Sequence, residues 1–596
     1  MSQRIHSTDT LEHIGKEVHV SGWIHRIRDH GQLMFIDLRD KKGIVQIVID
    51  SEHEAFTALS KELGNEYVIA VSGIVLERSK ERINPNIPTG KVEIEAKKVE
   101  ILSTSKPLPF SIDTDGHEID EQVRLKYRYL DLRRERMQDM LKFRSEFIFF
   151  VRNWYQKHGF IEVETPLLTV TSPEGARDFI VPSRTHKGQC YVLPQAPQQF
   201  KQLLMVGGIE KYFQIAPCFR DEDPRADRHA GAFYQIDTEM AFVTQEDFFT
   251  TMEPLFIEMV ETLTDKKIQE KPFPRIPYRT AMDEYGSDKP DLRFGLKLQN
   301  FNFLKTMTGF SVFQKAEMIR GIVVPDVPDM SRKTIDDLGV VALNAGAKGL
   351  AWVRRKADGS FDGSIAKFMT DEVLQILMKE CDMRAGSLLL LVADEPSLVY
   401  KALNLVRLKL GDLLGMRDPK TIAFAWIVDF PMYEWDADNQ KYDFMHNPFS
   451  MPQGGLDTLE KASPLDIVAY QYDIVANNLE LASGAIRNHE PETMIKAFEI
   501  AGYTREEVKD KFGHMLGAFE YGAPPHGGFA PGVDRVMMLL RDEASIREIY
   551  AFPLSSDGKD LMMGAPSAVS EKQLKDLGLE YDIRTKAMLE KKAKAG

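Results

Sequence analysis

Two arginines far apart in the chain, Arg220 and Arg535, stand where phosphate-seeking side chains belong. Arg220 closes the stretch KYFQIAPCFRDED (211–223). Read as a strand, it puts Gln214, Arg220 and Glu222 on one face and Phe213, Ile215 and Phe219 on the other. After a polar turn, AFYQIDTEMAF (232–242) alternates likewise: Phe233, Gln235, Asp237 and Glu239 against Tyr234, Ile236, Met240 and Phe242. Together they predict a long hairpin whose apolar side packs on helices. The bland reading of its polar side is a solvated sheet face. Phe233 among charges argues for more, because a guanidinium fork suits phosphate and an aromatic ring suits a base.

Arg535 lies in GFAPGVDRVMMLLRDE (528–543), where Val536, Leu539 and Leu540 open a helix. A helix N-terminus carries partial positive charge, so an arginine there invites an anion. The alternative is a surface arginine paired with Asp534. In YDIVANNLELASGAIRNH (472–489), Asn477-Asn478 reads as a turn between strands carrying Asp473 and Glu480. Two carboxylates beside a phosphate site suit Mg2+ with several retained waters. Gly484 would let backbone approach a ligand closely, and Arg487 offers a fork for a carboxylate. A purely structural salt-bridge network is equally compatible with this stretch alone.

These residues need a scaffold. At 596 residues the chain exceeds one core and predicts three or four domains. In residues 17–50, Met34, Ile36 and Leu38 oppose Phe35, Asp37 and Arg39, and Val45, Ile47 and Ile49 oppose Gln46. This is the alternation of a small antiparallel barrel. It spans 1–105 and is followed by a charged hinge over 106–139. Phe143, Phe147, Val151 and Trp154 then recur at helical spacing, opening the first part of a catalytic domain, 140–294. Residues 295–422 mix helix and strand and read as an insertion. The catalytic domain resumes over 423–560, and a Lys-rich extension, 561–596, follows. The fold class is α+β multidomain.

Hydrophobic content is 43% and net charge −14. That balance excludes a non-specific nucleic-acid coat but not local RNA contacts. No apolar run approaches the ~20 residues of a membrane span, and the start lacks the apolar core of a secretion signal. Cys190, Cys218 and Cys381 have no paired spacing, which argues against a zinc site or disulfide framework and for the cytoplasm.

The motifs GFIEVETPLL (159–168), FRDED followed by Phe233, and GVDR resemble motifs 1, 2 and 3 of the class II aminoacyl-tRNA synthetases. TSPEGARDF, LPQAPQQFKQ, YGSDKPDLRF, MHNPFSMP and PPHGGFAPGVDR resemble the aspartyl family of bacterial type. The likeness covers essentially the whole chain. It implies an N-terminal OB-fold barrel that binds the anticodon, an antiparallel-sheet catalytic domain and an inserted α+β domain. It implies ATP and Mg2+, L-aspartate and tRNA(Asp) as partners, and a homodimer built on motif 1.

Residue roles follow from the resemblance. Arg220 binds the α-phosphate and the reacting carboxylate, Glu222 and Phe233 the adenine, and Arg535 the γ-phosphate. Asp221, His229, Gly532, Val533 and Asp534 also fall on ATP, and Asp473 and Glu480 on magnesium. Gln198, Lys201 and Arg487 hold the aspartate, with Arg487 on its side-chain carboxylate. Asp237 takes its ammonium, Glu174 sits on a flap above it and His446 closes the other side. The aspartate carboxylate attacks the α-phosphorus, pyrophosphate leaves, and the terminal ribose 3′-hydroxyl of tRNA attacks the adenylate. Asparagine would leave Lys201 and Arg487 without a counter-charge, at a cost of roughly 3–5 kcal/mol.

On the barrel, Phe35 is placed to stack an unpaired base, worth ~1–3 kcal/mol; alone it would read as a stray exposed aromatic. Arg28, Gln46 and Glu93 match positions that read base edges. His30-Gly31 and Arg82 stand at positions tied to tRNA choice, and histidine there points to charging of tRNA(Asn) as well; the alternative is a strictly tRNA(Asp)-specific form. Three departures stand out: the turn RHAGAF (228–233), which is longer and lacks a glutamate, Ala196 for a serine, and Asn447 for a histidine. Rival functions are another carboxylate-activating class II enzyme, such as asparagine synthetase or asparaginyl-tRNA synthetase, and a non-catalytic RNA-binding relative. The last would have lost Arg220, Glu480 or Arg535.

Overall fold

The computed structural model describes residues 3–53, 55–171, 175–223, 231–586 and 588. The chain forms two compact units, 1–119 and 120–596.

In the first unit, strands Glu17–Asp29, Leu33–Asp40, Gly43–Asp50, Val68–Glu77 and Val92–Ser103 close into a barrel. Around it, the third strand pairs with the fifth and the fifth with the fourth, which is OB-fold connectivity. Period-two alternation sends Val18, Val20, Ile24, Met34, Ile36, Leu38, Val45, Ile47 and Ile49 into one buried core. The intervening positions, including Phe35 and Gln46, therefore share the outer face. Their register is fixed: Phe35 lies opposite both Arg28 and Val48, and Asp37 opposite Gln46.

The second unit is organised by an eight-stranded sheet. Its neighbours run Arg275–Pro277, Phe424–Val428, Gln471–Ala476, Leu479–Ile486, His526–Phe529, Gly231–Ala241, Lys211–Arg220 and Ile161–Glu162. The two outermost pairings are parallel and the rest antiparallel. One face packs on helices Glu135–Lys157, Gln245–Leu263 and Val533–Arg541. Phe143, Phe147, Phe249, Phe256, Val536 and Leu540 meet Phe213, Ile236, Met240, Tyr472 and Phe529 in one core. The apolar side of the hairpin does not pack throughout, since Tyr234 and Phe242 are exposed.

The charged segment expected as a hinge over 106–139 divides. Its first residues stay with the first unit, and from Asp120 it joins the second. Arg124, Arg128 and Arg134 converge on the fully buried Asp131. Arg124 also makes two bonds to Glu548, at 3.0 and 2.9 Å. Dense charge here is therefore a buried ion-pair network.

Between the two parts of the large sheet's sequence lies a separate antiparallel sheet: Leu298–Asn300, Met318–Val324, Leu388–Asp394, Ala351–Arg355 and Phe361–Gly363 in spatial order. In its run LLLLVAD, Leu388, Leu390 and Val392 enter one core, and Leu389 and Leu391 another. An unbroken apolar run is what a strand covered on both faces requires. Helices Arg332–Asn344 and Pro396–Leu413 cover the first face. No helix among the described residues is long and apolar enough to cross a membrane.

Candidate active site

The polar face of the large sheet borders a cavity of about 560 Å3. Gln198, Lys201, Arg220, Glu222, Phe233, Asp237, His446, Asp473, Glu480, Arg487, Gly532, Asp534 and Arg535 all line it. Alternation explains this convergence. Asp237 lies opposite Gln214 across the hairpin, and Asp473 opposite Ser483 in the next pair of strands. Asn477 and Asn478 have φ of 50° and 71°, left-handed values that build the tight turn between those strands.

Four charges at the cavity floor form one buried cluster. Lys201 Nζ lies 3.0 Å from Asp237 Oδ1 and 3.2 Å from Glu239 Oε2. Arg487 donates from Nε and Nη2 to the two oxygens of Glu239, at 2.8 and 3.1 Å. All four residues are at most 1% exposed. The expectation that Lys201 and Arg487 lack counter-charges without substrate is thus corrected, because Glu239 and Asp237 already balance them. What remains open is Arg487 Nη1, which has no hydrogen-bond partner among the described residues, and Asp237 Oδ2, since Oδ1 faces Lys201. A buried donor left unmade costs ~1–3 kcal/mol.

Electrostatics follow the geometry. Burial pushes the Asp237 carboxyl up to about 6, against the pull of Lys201. Burial acts the same way on Glu239, but Arg487 and Lys201 together overcome it and hold that carboxyl below its usual range. Burial lowers the His446 imidazole, which stays neutral near pH 7 and packs edge-on against Phe430 at 5.3 Å.

Sequence reading assigned Glu239 to the polar face and gave it no role. A signal was present in HGGF: Gly528 pairs with Glu239 in register, and a Cβ there would sit 2.0 Å from Glu239 Oε2. That glycine makes room for the carboxylate. Gly484, expected to admit a ligand, instead lies where a Cβ would come 2.4 Å from the Gly528 carbonyl oxygen and 2.6 Å from the Tyr472 ring. Its missing side chain serves strand packing. Behind Gln198, a relay runs from its Nε2 to Gln202 Oε1 and from Gln202 to the buried His526.

At the other end of the cavity, Arg220 stacks over Phe233 at 5.1 Å, and its Nε donates to the Gln195 carbonyl at 3.3 Å. Arg535 is the third residue of helix Val533–Arg541, and its Nη1 donates to the Glu480 carbonyl at 3.1 Å. Arg144 Nη1 and the Tyr550 hydroxyl bind Asp534 at 2.8 and 2.7 Å. Asp534 thus fixes the helix end, and Val533 points into the core. Asp221 is exposed and pairs with Arg177 outside the cavity. Glu174 and His229 lie outside the described residues, as does the first half of the RHAGAF turn, 228–230.

Asp473 is 3% exposed, and its Oδ1 has no partner among the described residues. Burial, then the charge of Glu480, pushes its carboxyl well above the usual range. An orphaned buried oxygen beside a second carboxylate fits a hard divalent cation. No group of three or more His, Cys, Asp or Glu among the described residues is arranged for a metal. The pair therefore suits an ion that keeps waters and takes substrate oxygens.

On the barrel, Arg28 Nη2 donates to Asp37 at 2.8 Å. Phe35 is half-buried with the His30 ring edge-on at 5.6 Å. Gln46 is buried, and Glu93 pairs with Arg78 at 3.3 Å. Arg78, missed in sequence, is buried with Nη2 unpartnered among the described residues. Arg82 is exposed on a short 3-10 turn.

Comparison with known proteins gives the lineage. Residues 120–556 match the family described as tRNA synthetases class II (D, K and N), and residues 18–102 match the OB-fold nucleic acid binding domain. The chain is 52% identical over 566 residues to an aspartate–tRNA ligase of Streptomyces coelicolor, covering 95% of this chain and 96% of that one. It is 48% identical over 586 residues to an aspartate–tRNA(Asp/Asn) ligase of Rickettsia prowazekii, covering 97% of each. The asparaginyl-tRNA synthetase of Pyrococcus horikoshii, solved with asparaginyl-adenylate, shares the fold at a TM-score of 0.58 and 19% identity, over 93% of this chain and 98% of that one. The chain belongs to the aspartate–tRNA ligases, within the class II tRNA synthetases.

Proposed function

We propose that this protein activates L-aspartate with ATP and transfers it to the 3′ end of tRNA(Asp), and also of tRNA(Asn). The observation that carries the reading is the cavity's polarity: a buried cationic fork, Arg487, at one end, and Arg220 with Arg535 at the other. Aspartate lies between them, with its side chain on Arg487 and Lys201, its ammonium on Asp237, and its α-carboxylate toward Arg220. Arg220 steadies the charge that develops as that carboxylate attacks the α-phosphorus. Phe233 stacks adenine and Glu222 accepts from it. Arg535 holds the far phosphates. Asp473 and Glu480 would hold Mg2+, which supplies charge neutralisation of the phosphates when bound. No protein base is needed, because the attacking carboxylate is already ionised; positioning does most of the work.

On the barrel, the tRNA(Asn) reading is supported by His30, whose ring touches the Phe35 edge, and by relatives bearing the Asp/Asn name. A homodimer is supported by apolar side chains exposed around motif 1: Phe149, Ile161, Leu167, Leu168 and Val170. Function is tested by pyrophosphate exchange, expected with aspartate and absent with asparagine. Exchange that ignores aspartate would overturn the reading. Charging of both purified tRNAs is expected; failure on tRNA(Asn) alone would leave the strictly tRNA(Asp)-specific form.

A further inference from the structure

The loop Tyr285–Phe294, YGSDKPDLRF, reaches the cavity with Lys289. Lys289 Nζ lies 3.7 Å from Glu480 Oε2, while Arg535 Nη1 lies 3.5 Å from Glu480 Oε1. Two cations therefore flank one carboxylate at the phosphate end. Their settings differ from that of Lys201. The Lys201 side chain is 2% exposed and its ion pairs are 3.0 and 3.2 Å long, whereas the Lys289 side chain is 42% exposed and loosely held. A loosely held cation is free to change partners at little cost in side-chain entropy already spent.

The loop that carries it is not loose. Gly286 has a φ of 70°, and a Cβ there would lie 2.5 Å from the Tyr400 carbonyl on helix Pro396–Leu413. From the same helix, the fully buried Arg407 donates to the carbonyls of Asp291, Phe294, Gly295 and Leu296, and stacks on Phe294 at 4.1 Å. Arg417 Nε donates to Asp291 Oδ2 at 2.9 Å. Helix Pro396–Leu413 belongs to the smaller, five-stranded-sheet region. That region thus grips the loop at both ends and leaves its tip in the cavity.

We propose that Lys289 is a further phosphate-contacting residue of the nucleotide site, and that the inserted region serves to hold it there through Arg407 and Arg417. This rests on the ATP-dependent reading above. In the free protein Lys289 balances Glu480. Asp473 and Glu480 would hold a divalent cation, and the Lys289 ammonium would then be left for the outer phosphates beside Arg535. The charge balance favours this, since Asp473 and Glu480 offset part of the positive charge that a triphosphate needs.

The test is equilibrium binding of MgATP and of L-aspartate to Lys289→Met, Lys289→Arg and Arg417→Ala, with pyrophosphate exchange alongside. Lys289→Met is expected to weaken MgATP by about 10- to 100-fold, the size of a lost charge-assisted hydrogen bond, with aspartate affinity unchanged. Lys289→Arg should restore most of it. Arg417→Ala should lose part of the MgATP affinity while the far-ultraviolet circular dichroism stays native. MgATP affinity in Lys289→Met equal to wild type would overturn the phosphate role, and unchanged affinity in Arg417→Ala would overturn the anchoring role. Absence of aspartate-dependent exchange in the wild type would instead sink the functional reading itself.

Discussion

Glu239 touches both substrate-facing cations yet does not line the cavity, so replacing it separates charge from contact. In Glu239→Gln, Arg487 and Lys201 keep a neutral neighbour of the same shape. They share only Asp237 as counter-ion, 3.0 Å from Lys201. Removing one partner of a buried ion pair costs roughly 3–5 kcal/mol, because the other charge is left uncompensated. The free variant should therefore unfold at lower urea by that margin. L-Aspartate brings a carboxylate to the same two cations and restores the missing charge. At one fixed aspartate concentration, the variant should gain more stability than wild type, whose gain is about 2.7 kcal/mol at a hundred times Kd. Asparagine, neutral at its side chain, should give no such repair. The assay is urea unfolding with each amino acid. A free variant as stable as wild type, or a loss that aspartate leaves unrepaired, would refute the argument that Glu239 acts through charge.

Asp237, with its carboxyl raised to about 6, makes aspartate binding pH-dependent. Only the ionised form accepts an ammonium, so affinity measured by calorimetry should fall as pH drops below 6 and be flat above 7. For stability the sign is opposite: a raised carboxyl stabilises the free fold fully below its unfolded value near 3.8, and this is lost as pH rises through 6. Arg535→Ala should raise the KM for ATP and slow exchange by about 10²–10³-fold, while direct aspartate binding stays unchanged. Phe35→Ala should weaken tRNA binding by ~1–3 kcal/mol, measured by filter binding, and leave pyrophosphate exchange intact.

Much of the molecule is legible in its sequence because side-chain direction in a strand is local. Period two put Asp237 and Phe233 on one face of the hairpin and sorted the barrel's core from its outer face. Helical spacing found Phe143, Phe147, Val151 and Trp154. The long motifs carried the family. What strand alternation cannot supply is a partner on another element. The sequence offers Asp534 beside Arg535, yet Asp534 binds Arg144, 390 positions away. It offers a charged hinge, yet Asp131 and Glu548 draw its arginines inside. It offers two bare cations, yet Glu239, on strand Gly231–Ala241, meets both, in the space that Gly528 leaves. The reason is physical. The face a residue occupies follows from its own backbone dihedrals, whereas the charge it meets depends on chain segments brought together only by packing the core. The sequence by itself determined which groups reach the cavity; the tertiary structure decided which of them are already paired, and so which remain for a ligand.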